Sequence, residues 1–233
     1  MRILITRPAE DSAAFAARLA AHGHDTLIAP LLAPLYDDAG APDFTGVQAL
    51  AITSANGVRA LARVSARRDV PVFAVGPQTA AEAIRAGFTD VRDGDGDAAS
   101  LARRAAQWAR PEKGALLHVC SHEAPGTLMN LLRDAGFGVR RASLYRVTAA
   151  PCLPPDARHA LEAGALDGAM FFSPRSAAVF RDCLARDGGA ALAGPLTAFC
   201  ISAATAAALA PLAFAGTRIA ARPNQDAMLA LVV

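Results

Sequence analysis

Two kinds of strand-to-helix corner occur in this chain, and each kind occurs twice. In the first kind, an apolar stretch leads into a hydroxyl-rich turn and a helical pattern, at residues 53–58 (TSANGV) and again at 172–177 (FSPRSA). The second kind lies at residues 76–81 (GPQTAA) and again at 199–207 (FCISAATAA). Open α/β sheets bind ligands at the carboxyl ends of their strands, where such corners lie. The doubled corners therefore predict two similar α/β lobes that face a shared cleft.

Hydroxyl and amide side chains are concentrated where the helices of these corners should begin. A helix N-terminus presents unpaired N–H groups and the positive end of a dipole, so it favours anions. The alternative is plain N-capping, which stabilises a helix by roughly 1 kcal/mol per residue. The doubling favours joint binding of a ligand by these residues, which are Ser54, Asn56, Thr79, Ser173, Ser176, Ser202 and Thr205.

A longer repeat indicates a tandem duplication. Residues 3–23 resemble residues 116–136, and both copies continue into an extended stretch that holds a tyrosine, Tyr36 in the first and Tyr145 in the second. A simple boundary between two domains would fall near Gly114. An exchanged arrangement is equally compatible, in which the first strand–helix–strand unit packs against the C-terminal half of the chain.

Apolar runs and helical patterns alternate along the chain, which predicts parallel sheets. The first of them predict a strand over 3–6, a helix over 13–21 and a strand over 26–29. The exchanged arrangement would place two antiparallel crossings between the lobes, near 32–36 and 143–147. Because binding groups would then be divided between the lobes, we expect the lobes to open and close around a ligand.

Composition and charge exclude several classes of function. The formal net charge is +2, from 23 basic and 21 acidic residues in 233, which is too even for a nucleic-acid-binding protein. The longest apolar stretch, residues 199–216, is interrupted by serine, threonine and proline, so it predicts a strand and a core helix and not a membrane span. The N-terminus enters a strand at once and has no signal-peptide pattern, so we expect a cytoplasmic protein.

The sequence offers no recognisable nucleotide or metal site. No Gly-x-Gly-x-x-Gly or Walker pattern follows a strand. The acidic run 93–97 (DGDGD) lacks the glycine and the final glutamate of a calcium loop, so it predicts a solvated turn. His118 lies in a predicted strand and His122 after it, so their spacing does not place them on one helical face. Free, buried thiols are expected at Cys120, Cys152, Cys183 and Cys200.

In order, spacing and doubling, these motifs resemble those of uroporphyrinogen-III synthases over nearly the whole chain. The residues that carry the resemblance are 3–8 (ILITRP), 53–58 (TSANGV), 75–80 (VGPQTA), 144–146 (LYR) and 172–177 (FSPRSA). Two positions depart from the family pattern. Phe172 stands where a threonine often precedes the serine, and Ser202 replaces the usual glycine of the second corner.

The resemblance implies an α/β fold class with two similar, flavodoxin-like lobes. Each lobe would have a parallel sheet flanked by helices, and a two-stranded linker would join them. The first lobe would comprise residues 1–35 and 150–233, and the second would comprise residues 39–143. A monomer is expected.

The resemblance also implies a cofactor-free reaction on hydroxymethylbilane, a linear tetrapyrrole with acetate and propionate arms. Loss of its terminal hydroxyl gives an azafulvene on ring A, and attack by the substituted position of ring D gives a spiro intermediate. Fragmentation and reclosure leave ring D inverted, which yields uroporphyrinogen III. The expected partners are this small molecule and, transiently, hydroxymethylbilane synthase, with no nucleic acid and no membrane.

Individual residue roles follow from the same resemblance. Tyr145 matches the family tyrosine and is the expected catalytic acid, because a weak acid beside the departing hydroxyl would assist its loss. The alternative function is a two-lobed protein that binds an anion or a tetrapyrrole without catalysis. The expected substrate-binding residues are Arg7, Ser54, Asn56, Thr79, Ser121, Ser173, Arg175, Ser176, Ser202 and Thr205.

Overall fold

The computed structural model of the chain describes residues 1–38 and 40–233. Ala39, at which the second lobe was expected to begin, lies outside the described residues. None of the helices in the described ranges is long and apolar enough to cross a bilayer.

Strands and helices alternate along the described chain. The strands are β1 (Arg2–Ile5), β2 (Asp25–Ile28), β3 (Leu32–Tyr36), β4 (Val47–Ile52), β5 (Val72–Ala74), β6 (Val91–Asp93), β7 (Ala115–Ser121), β8 (Val139–Ala149), β9 (Gly168–Phe171), β10 (Thr197–Cys200) and β11 (Gly216–Ile219). The α-helices are α1 (Ala9–Ala21), α2 (Ala55–Val64), α3 (Pro77–Arg85), α4 (Ala98–Trp108), α5 (Thr127–Asp134), α6 (Pro155–Glu162), α7 (Pro174–Arg186), α8 (Ala203–Ala207) and α9 (Gln225–Leu229). Short 3₁₀ turns occupy Pro111–Lys113 and Ala190–Ala193. The chain divides into two units, which are Met1–Ala33 with Thr148–Val233, and Pro34–Val147.

The first unit is built on a five-stranded parallel sheet in the order β11-β10-β9-β1-β2. Ile3 of β1 lies beside Thr26 on one neighbour and beside Gly168 on the other. Counted along the chain within this unit, the spatial order is 2-1-3-4-5, which is the doubly wound order of flavodoxin-like folds. Its three central strands, β1, β9 and β10, are mostly apolar and buried, as expected where helices cover both faces of a sheet.

Two apolar layers enclose this sheet. On one face Phe171 packs edge-on against Phe180 of α7, with ring centroids 5.1 Å apart. On the other face Phe199 packs with Phe15 of α1 and Met228 of α9. None of these five side chains is more than 1% exposed. Packing on both faces therefore holds the carboxyl ends of the strands in fixed positions.

The second unit is built on a sheet in the order β3-β8-β7-β4-β5-β6. The five strands from β8 to β6 in this order are parallel to one another. β3 runs antiparallel to β8, as two hydrogen bonds show. The Asp37 N–H donates to the Leu144 carbonyl at 3.0 Å, and six residues earlier the Leu31 carbonyl accepts the Ala150 N–H at 2.9 Å. Helices α2 and α3 cover one face of the sheet, and α4 and α5 cover the other.

The strand pairing is that of the exchanged arrangement. β1 pairs with β9, and β7 pairs with β4, so the opening strand of each sequence copy lies beside later strands of the other copy. The chain passes from one unit to the other inside β3 and again inside β8. The predicted fold class, α/β with parallel sheets flanked by helices, is confirmed.

Some local features differ from the sequence predictions. Helix α1 begins at Ala9 and not at residue 13, because the Pro8 carbonyl accepts the Ser12 N–H at 3.1 Å and opens the first turn. The sequence pattern missed this turn because its residues are polar. Cys152 is exposed in the turn before α6, whereas a buried thiol was expected there. The other three cysteines are free and buried.

We expect Gly168→Ala to destabilise the first unit. A Cβ at Gly168 would lie 2.6 Å from Cε2 of Phe199 and 2.7 Å from the Thr197 carbonyl oxygen, so a fully buried ring and a neighbouring strand would have to move. Overpacking of this kind costs about 1–3 kcal/mol. Urea unfolding followed by circular dichroism would measure the decrease in the free energy of unfolding.

Gly216→Ala is the matched control, because Gly216 also opens a strand of this sheet and a Cβ there meets nothing within 4 Å. Its free energy of unfolding should stay within about 0.5 kcal/mol of the wild-type value. Equal urea midpoints for the two variants would contradict the prediction.

Candidate functional site

The predicted residues of the first unit lie at the carboxyl edge of its sheet. Arg7 follows β1, Ser173 follows β9 and Ser202 follows β10, and these strands are parallel neighbours. Ser173 caps α7 by accepting the Ser176 N–H at 3.1 Å, and Ser202 caps α8 by accepting the Thr205 N–H at 3.3 Å. The structure thus brings these five residues to one edge, with two of them acting as helix caps.

A second hydroxyl completes each cap. Ser176 Oγ lies 3.1 Å from Ser173 Oγ and donates to the Ser173 carbonyl at 3.0 Å. Thr205 Oγ1 lies 3.0 Å from Ser202 Oγ. Ser176 and Thr205 are buried, so they support the corners from inside. Ser173 and Ser202 are half-buried and Arg175 is exposed, so these three are the members of the set that a ligand can reach directly.

Arg7 places a positive charge at the same edge. Arg7 is 7% exposed, and its guanidinium lies 4.7 Å from the centroid of the Phe172 ring. One guanidinium nitrogen lies 3.7 Å from the Asp11 carboxylate. A cation over an aromatic face is attracted by the ring. Phe172, one of the two departures from the family pattern, therefore serves as a platform for Arg7.

The first corner of the second unit is capped in the same way. Ser54 Oγ accepts the Gly57 N–H at 3.2 Å, and Asn56 Oδ1 accepts a hydrogen bond from Arg59 at 3.0 Å. Thr79 lies in the first turn of α3, whose N-cap residue is Gly76, and is only 4% exposed. Thr79 therefore packs inside its corner, while Ser54 acts as the cap of α2.

Three charged residues that support Asn56 were not predicted. Arg59 also donates to Glu82 Oε2 at 2.8 Å, and Arg85 donates to the same oxygen at 2.6 Å. Glu82 is 8% exposed, so loss of either arginine would leave a buried charge short of a partner. The three-residue spacing of Asn56 and Arg59, and of Glu82 and Arg85, indicates that each pair can form a contact on one face of a helix. It does not show that α2 and α3 are adjacent.

An irregularity in β8 turns Tyr145 toward α2. Cys120 of β7 lies beside Ser143, but the next residue, Ser121, lies beside Tyr145, so Leu144 is an extra residue in β8. Such a bulge interrupts the alternation of side chains between the two faces of a sheet. Leu144 and Tyr145 are consecutive, yet both belong to the apolar cluster on the α2 face.

Tyr145 and Ser54 form the closest contact between predicted site residues of the second unit. Tyr145 Oη lies 2.7 Å from Ser54 Oγ. Burial raises the pKa of the Tyr145 phenol above its ordinary value of 10.0, although the hydrogen bond with Ser54 acts in the opposite direction. The phenol is therefore protonated at neutral pH and is able to donate a proton.

Tyr36 packs beside this pair. Its ring centroid lies 6.4 Å from that of Tyr145, and the Arg63 guanidinium lies 4.4 Å from the Tyr36 centroid. The two tyrosines lie on the neighbouring strands β3 and β8, which contain the two stretches expected to cross between the lobes. Arg63 was not predicted, because nothing in its sequence context distinguishes it from a solvated arginine.

Ser121 lies at the end of β7, where its backbone is held by an arginine. Arg141 Nη2 donates to the carbonyls of Ser121 and His122, both at 2.8 Å. His122 Nε2 lies 2.6 Å from Asp37 Oδ2. These contacts fix the loop that follows β7.

A cavity of about 280 Å³ lies at the carboxyl edge of β4, β5 and β7, on the face covered by α4 and α5. Thr53, Val75, Gly96 and His118 form part of its wall. His118 is 1% exposed. Burial lowers the pKa of its imidazole from 6.5 to about 4, and the charge of Arg141 adds to this effect. His118 is therefore neutral at pH 7.

The acidic run forms a turn, as predicted. Asp95 has a φ of 69°, and Asp97 caps α4 by accepting the Ser100 N–H at 2.7 Å. In the part of the chain that the structure describes, no group of three His, Cys, Asp or Glu side chains is placed to hold a metal ion.

Comparison with known protein families shows to which family the chain belongs. The family model described as Uroporphyrinogen-III synthase HemD matches residues 13–230. The chain belongs to the uroporphyrinogen-III synthase family. This is a family of cyclising lyases of tetrapyrrole biosynthesis, so the family and the reaction class predicted from the motifs are confirmed, and the substrate is a tetrapyrrole.

Solved uroporphyrinogen-III synthases share the fold at low sequence identity. The protein from Helicobacter pylori is 20% identical with a TM-score of 0.64, over 99% of this chain and 98% of that chain. A mutant of the protein from the extremely thermophilic bacterium Thermus thermophilus is 17% identical with a TM-score of 0.54, over 99% of this chain and 97% of that chain. A comparison with curated protein sequences found no match.

We expect the stability of the second unit to fall as the pH is lowered from about 6.5 toward about 4. In this range the unfolded chain binds a proton at His118 that the folded chain does not bind, so proton uptake favours unfolding. The contribution of His118 to this loss between pH 7 and pH 5 should be roughly 2 kcal/mol. Urea unfolding followed by the fluorescence of Trp108, the single tryptophan, reports on this unit.

Two variants isolate the contribution of His118 from that of the carboxylates. His118→Leu should remove this part of the pH dependence, and His22→Gln, at an exposed histidine, should leave it unchanged. The same pH dependence in His118→Leu as in the wild type would show that His118 does not stay neutral when the chain folds.

Proposed function

We propose that this chain carries out the reaction of its family with Tyr145 as the acid that assists the loss of the substrate hydroxyl. The observation that carries the proposal is the 2.7 Å contact between Tyr145 Oη and Ser54 Oγ, in a chain whose family match spans residues 13–230. The substrate is hydroxymethylbilane, and the product is uroporphyrinogen III. The proposal adds named residue roles to the activity that family membership supplies.

The reaction requires one proton to be delivered and one to be released. The terminal hydroxyl of the bilane takes a proton and leaves as water, while the electron pair of the ring A nitrogen forms the azafulvene. The substituted carbon of ring D attacks the azafulvene of ring A and gives the spiro intermediate. Fragmentation then breaks the bond between that carbon and the methylene of ring C, which leaves an azafulvene on ring C and frees ring D to turn over. The free α-carbon of ring D attacks this methylene, closes the macrocycle and loses its proton. No electrons enter or leave, so the proposal requires no redox cofactor.

The Ser54–Tyr145 pair suits the first of these steps. Ser54 Oγ already accepts the Gly57 N–H, and in the proposed arrangement the serine hydroxyl donates its hydrogen to Tyr145 Oη. The phenol hydrogen is then directed to the departing hydroxyl, and the serine stabilises the negative charge that develops on the phenol. A positioned acid typically contributes a factor of about 10²–10⁴ to the rate.

Helix N-termini and arginines are proposed to hold the carboxylates of the substrate. A serine cap occupies only part of the donor capacity of a helix N-terminus, so further N–H groups at α2 and α7 can bind anions. Arg7 and Arg175 add positive charge at the edge of the first unit where α7 begins. Localised donors of this kind can bind several carboxylates although the net charge of the chain is only +2. On this basis we assign contacts with the substrate to Ser54, Asn56, Ser121, Ser173 and Ser202 as well. We assign Thr79, Ser176 and Thr205, which are buried, the role of supporting the corners that bind it.

The instability of the substrate supports a further proposal about its delivery. Hydroxymethylbilane cyclises unaided to the isomer in which ring D is not inverted, so a short path from the enzyme that makes it limits the loss. We propose transient contact with hydroxymethylbilane synthase, and a monomer that acts in the cytoplasm.

We expect the purified chain to convert freshly generated hydroxymethylbilane to the type III isomer without added metal or cofactor. Dialysis against a chelator should leave the isomer ratio unchanged. The measurement is oxidation of the products to porphyrins, followed by chromatographic separation of isomers I and III. A binding protein without catalysis would give the isomer ratio of the enzyme-free control, and that result would reject the enzymatic role.

Tyr145→Phe should lower kcat by about 10²-fold or more and change the affinity for uroporphyrinogen III by less than about threefold. The lost proton donor acts mainly in the transition state, so turnover should suffer more than binding. Initial rates of type III formation and the Kd of the product, measured on the same preparation, separate the two effects.

Two further variants test the assignment within the tyrosine cluster. Tyr36→Phe is the matched control and should retain most of the kcat, because the proposed proton donor is the Tyr145 hydroxyl, which contacts Ser54. Ser54→Ala should lower kcat and should also cost about 1 kcal/mol of stability, because it removes the cap of α2. Full kcat in Tyr145→Phe would leave this tyrosine with a packing role only.

A further inference from the structure

The cavity at the α4–α5 face of the second unit has a polar wall for which the proposed reaction gives no role. We call it the His118 cavity and define it by Thr53, Val75, Gly96, His118, Thr127 and Leu128. Tyr145 belongs to the apolar cluster on the opposite, α2 face of the same sheet. The cavity is therefore distinct from the Ser54–Tyr145 pair, although Thr53 directly precedes Ser54.

His118 is unusual among the buried polar side chains of this chain. It is 1% exposed, and neither of its ring nitrogens has a hydrogen-bond partner among the described residues. A neutral imidazole carries one N–H donor and one acceptor, and buried polar groups are rarely left unpaired. A group held in the cavity would supply the missing partner.

The N-terminus of α5 opens on the same cavity. This helix spans Thr127–Asp134, and its N-cap residue, Gly126, offers no side chain to its N–H groups. The neighbouring helix α4 also begins at the cavity, but there the Asp97 carboxylate already accepts the Ser100 N–H at 2.7 Å. Asp97 disfavours an anion beside α4, so the free end of α5 is the part of the wall that favours negative charge.

We propose that the His118 cavity binds one carboxylate arm of the tetrapyrrole, with the carboxylate accepting hydrogen bonds from the first N–H groups of α5 and from the ring of His118. This inference rests on the proposed function for the identity of the ligand. The cavity, at about 280 Å³, is below the range of about 300–1,000 Å³ that holds a drug-sized molecule. It therefore accommodates a side arm and excludes the macrocycle. The remaining wall, with Val75 and Leu128, suits the methylene groups of such an arm.

The neutral state of His118 is consistent with this role. A neutral imidazole donates a hydrogen bond to a carboxylate without the cost of burying a positive charge in the empty cavity. Arg141, which lies beside His118 in the strand register, lowers the pKa of the imidazole and also contributes positive potential near the site.

The test is calorimetric titration of uroporphyrinogen III, kept reduced under anaerobic conditions, into the wild-type chain and three variants. His118→Leu should weaken binding about tenfold, the usual effect of losing a hydrogen bond to a charged group. It should not lower the urea midpoint at pH 7, because it replaces an unpaired polar side chain by an apolar one of similar size. Thr127→Glu places a competing carboxylate at the start of α5 and should weaken binding to a similar degree while stabilising the helix.

Thr127→Gln is the matched neutral control, and its Kd should stay within about threefold of the wild-type value. The imidazole resonances of His118 in ¹⁵N-labelled chain, identified by their loss in His118→Leu, should shift when the product saturates the site. Unchanged Kd values in His118→Leu and Thr127→Glu, or unshifted resonances at saturation, would mean that the cavity holds only water and would overturn the inference.

The isomer assay separates this inference from the proposed function. A wild-type chain that forms the type III isomer but shows no dependence of product binding on His118 would overturn only the role of the cavity. A chain that binds the product through His118 but leaves the isomer ratio at the enzyme-free value would overturn only the enzymatic role. Failure of the wild-type chain to bind the product would overturn the role of the cavity, and the isomer ratio alone would still decide the enzymatic role.

Discussion

The parallel pairing of β1 with β9, and of β4 with β7, is the constraint on which the rest of the structure depends. The contact between β1 and β9 continues past the end of β1, because Thr6 Oγ1 donates to the Met170 carbonyl at 2.8 Å. These two residues are 164 positions apart in the sequence. Because carboxyl ends of parallel strands lie at one edge of a sheet, this pairing collects corners from distant parts of the sequence. Arg7 thereby joins Ser173 and Ser202, and Ser54 joins Ser121 and Tyr145.

Two small backbone features then bring Tyr145 and Ser54 together in the second unit. The extra residue in β8 places Tyr145 on the face toward α2, and the cap of α2 places Ser54 Oγ within hydrogen-bonding distance of the phenol. Burial keeps the phenol protonated. A hydroxyl that serves as a helix cap can therefore also orient an acid. Capping and ligand binding, which the sequence presented as alternatives for Ser54, would be compatible in one side chain under the proposed arrangement.

The sequence predicted those features that depend on local patterns. Doubled corners revealed the duplicated α/β architecture, and the capping roles of Ser54, Ser173 and Ser202 followed from hydroxyls at helix starts. It did not predict the bulge at Leu144, because one added residue leaves an apolar run looking like an ordinary strand. The contact of Arg59 with Glu82 and the burial of His118 also escaped prediction, since both depend on which elements become neighbours. The choice between simple and exchanged domains required the strand pairing, for the same reason.

The exchanged pairing also has a consequence for the order of events on the ribosome. Residues 34–147 form one uninterrupted stretch, so all strands that the second unit needs emerge together and can pair as soon as β8 is made. The first unit cannot complete its sheet in this way, because its strands come from both ends of the chain. β1 and β2 are synthesised first, yet their sheet lacks its central strand until β9 appears. The apolar face of the N-terminal βαβ segment therefore stays uncovered while the second unit is translated, and exposed surface of this kind is what chaperones protect from aggregation.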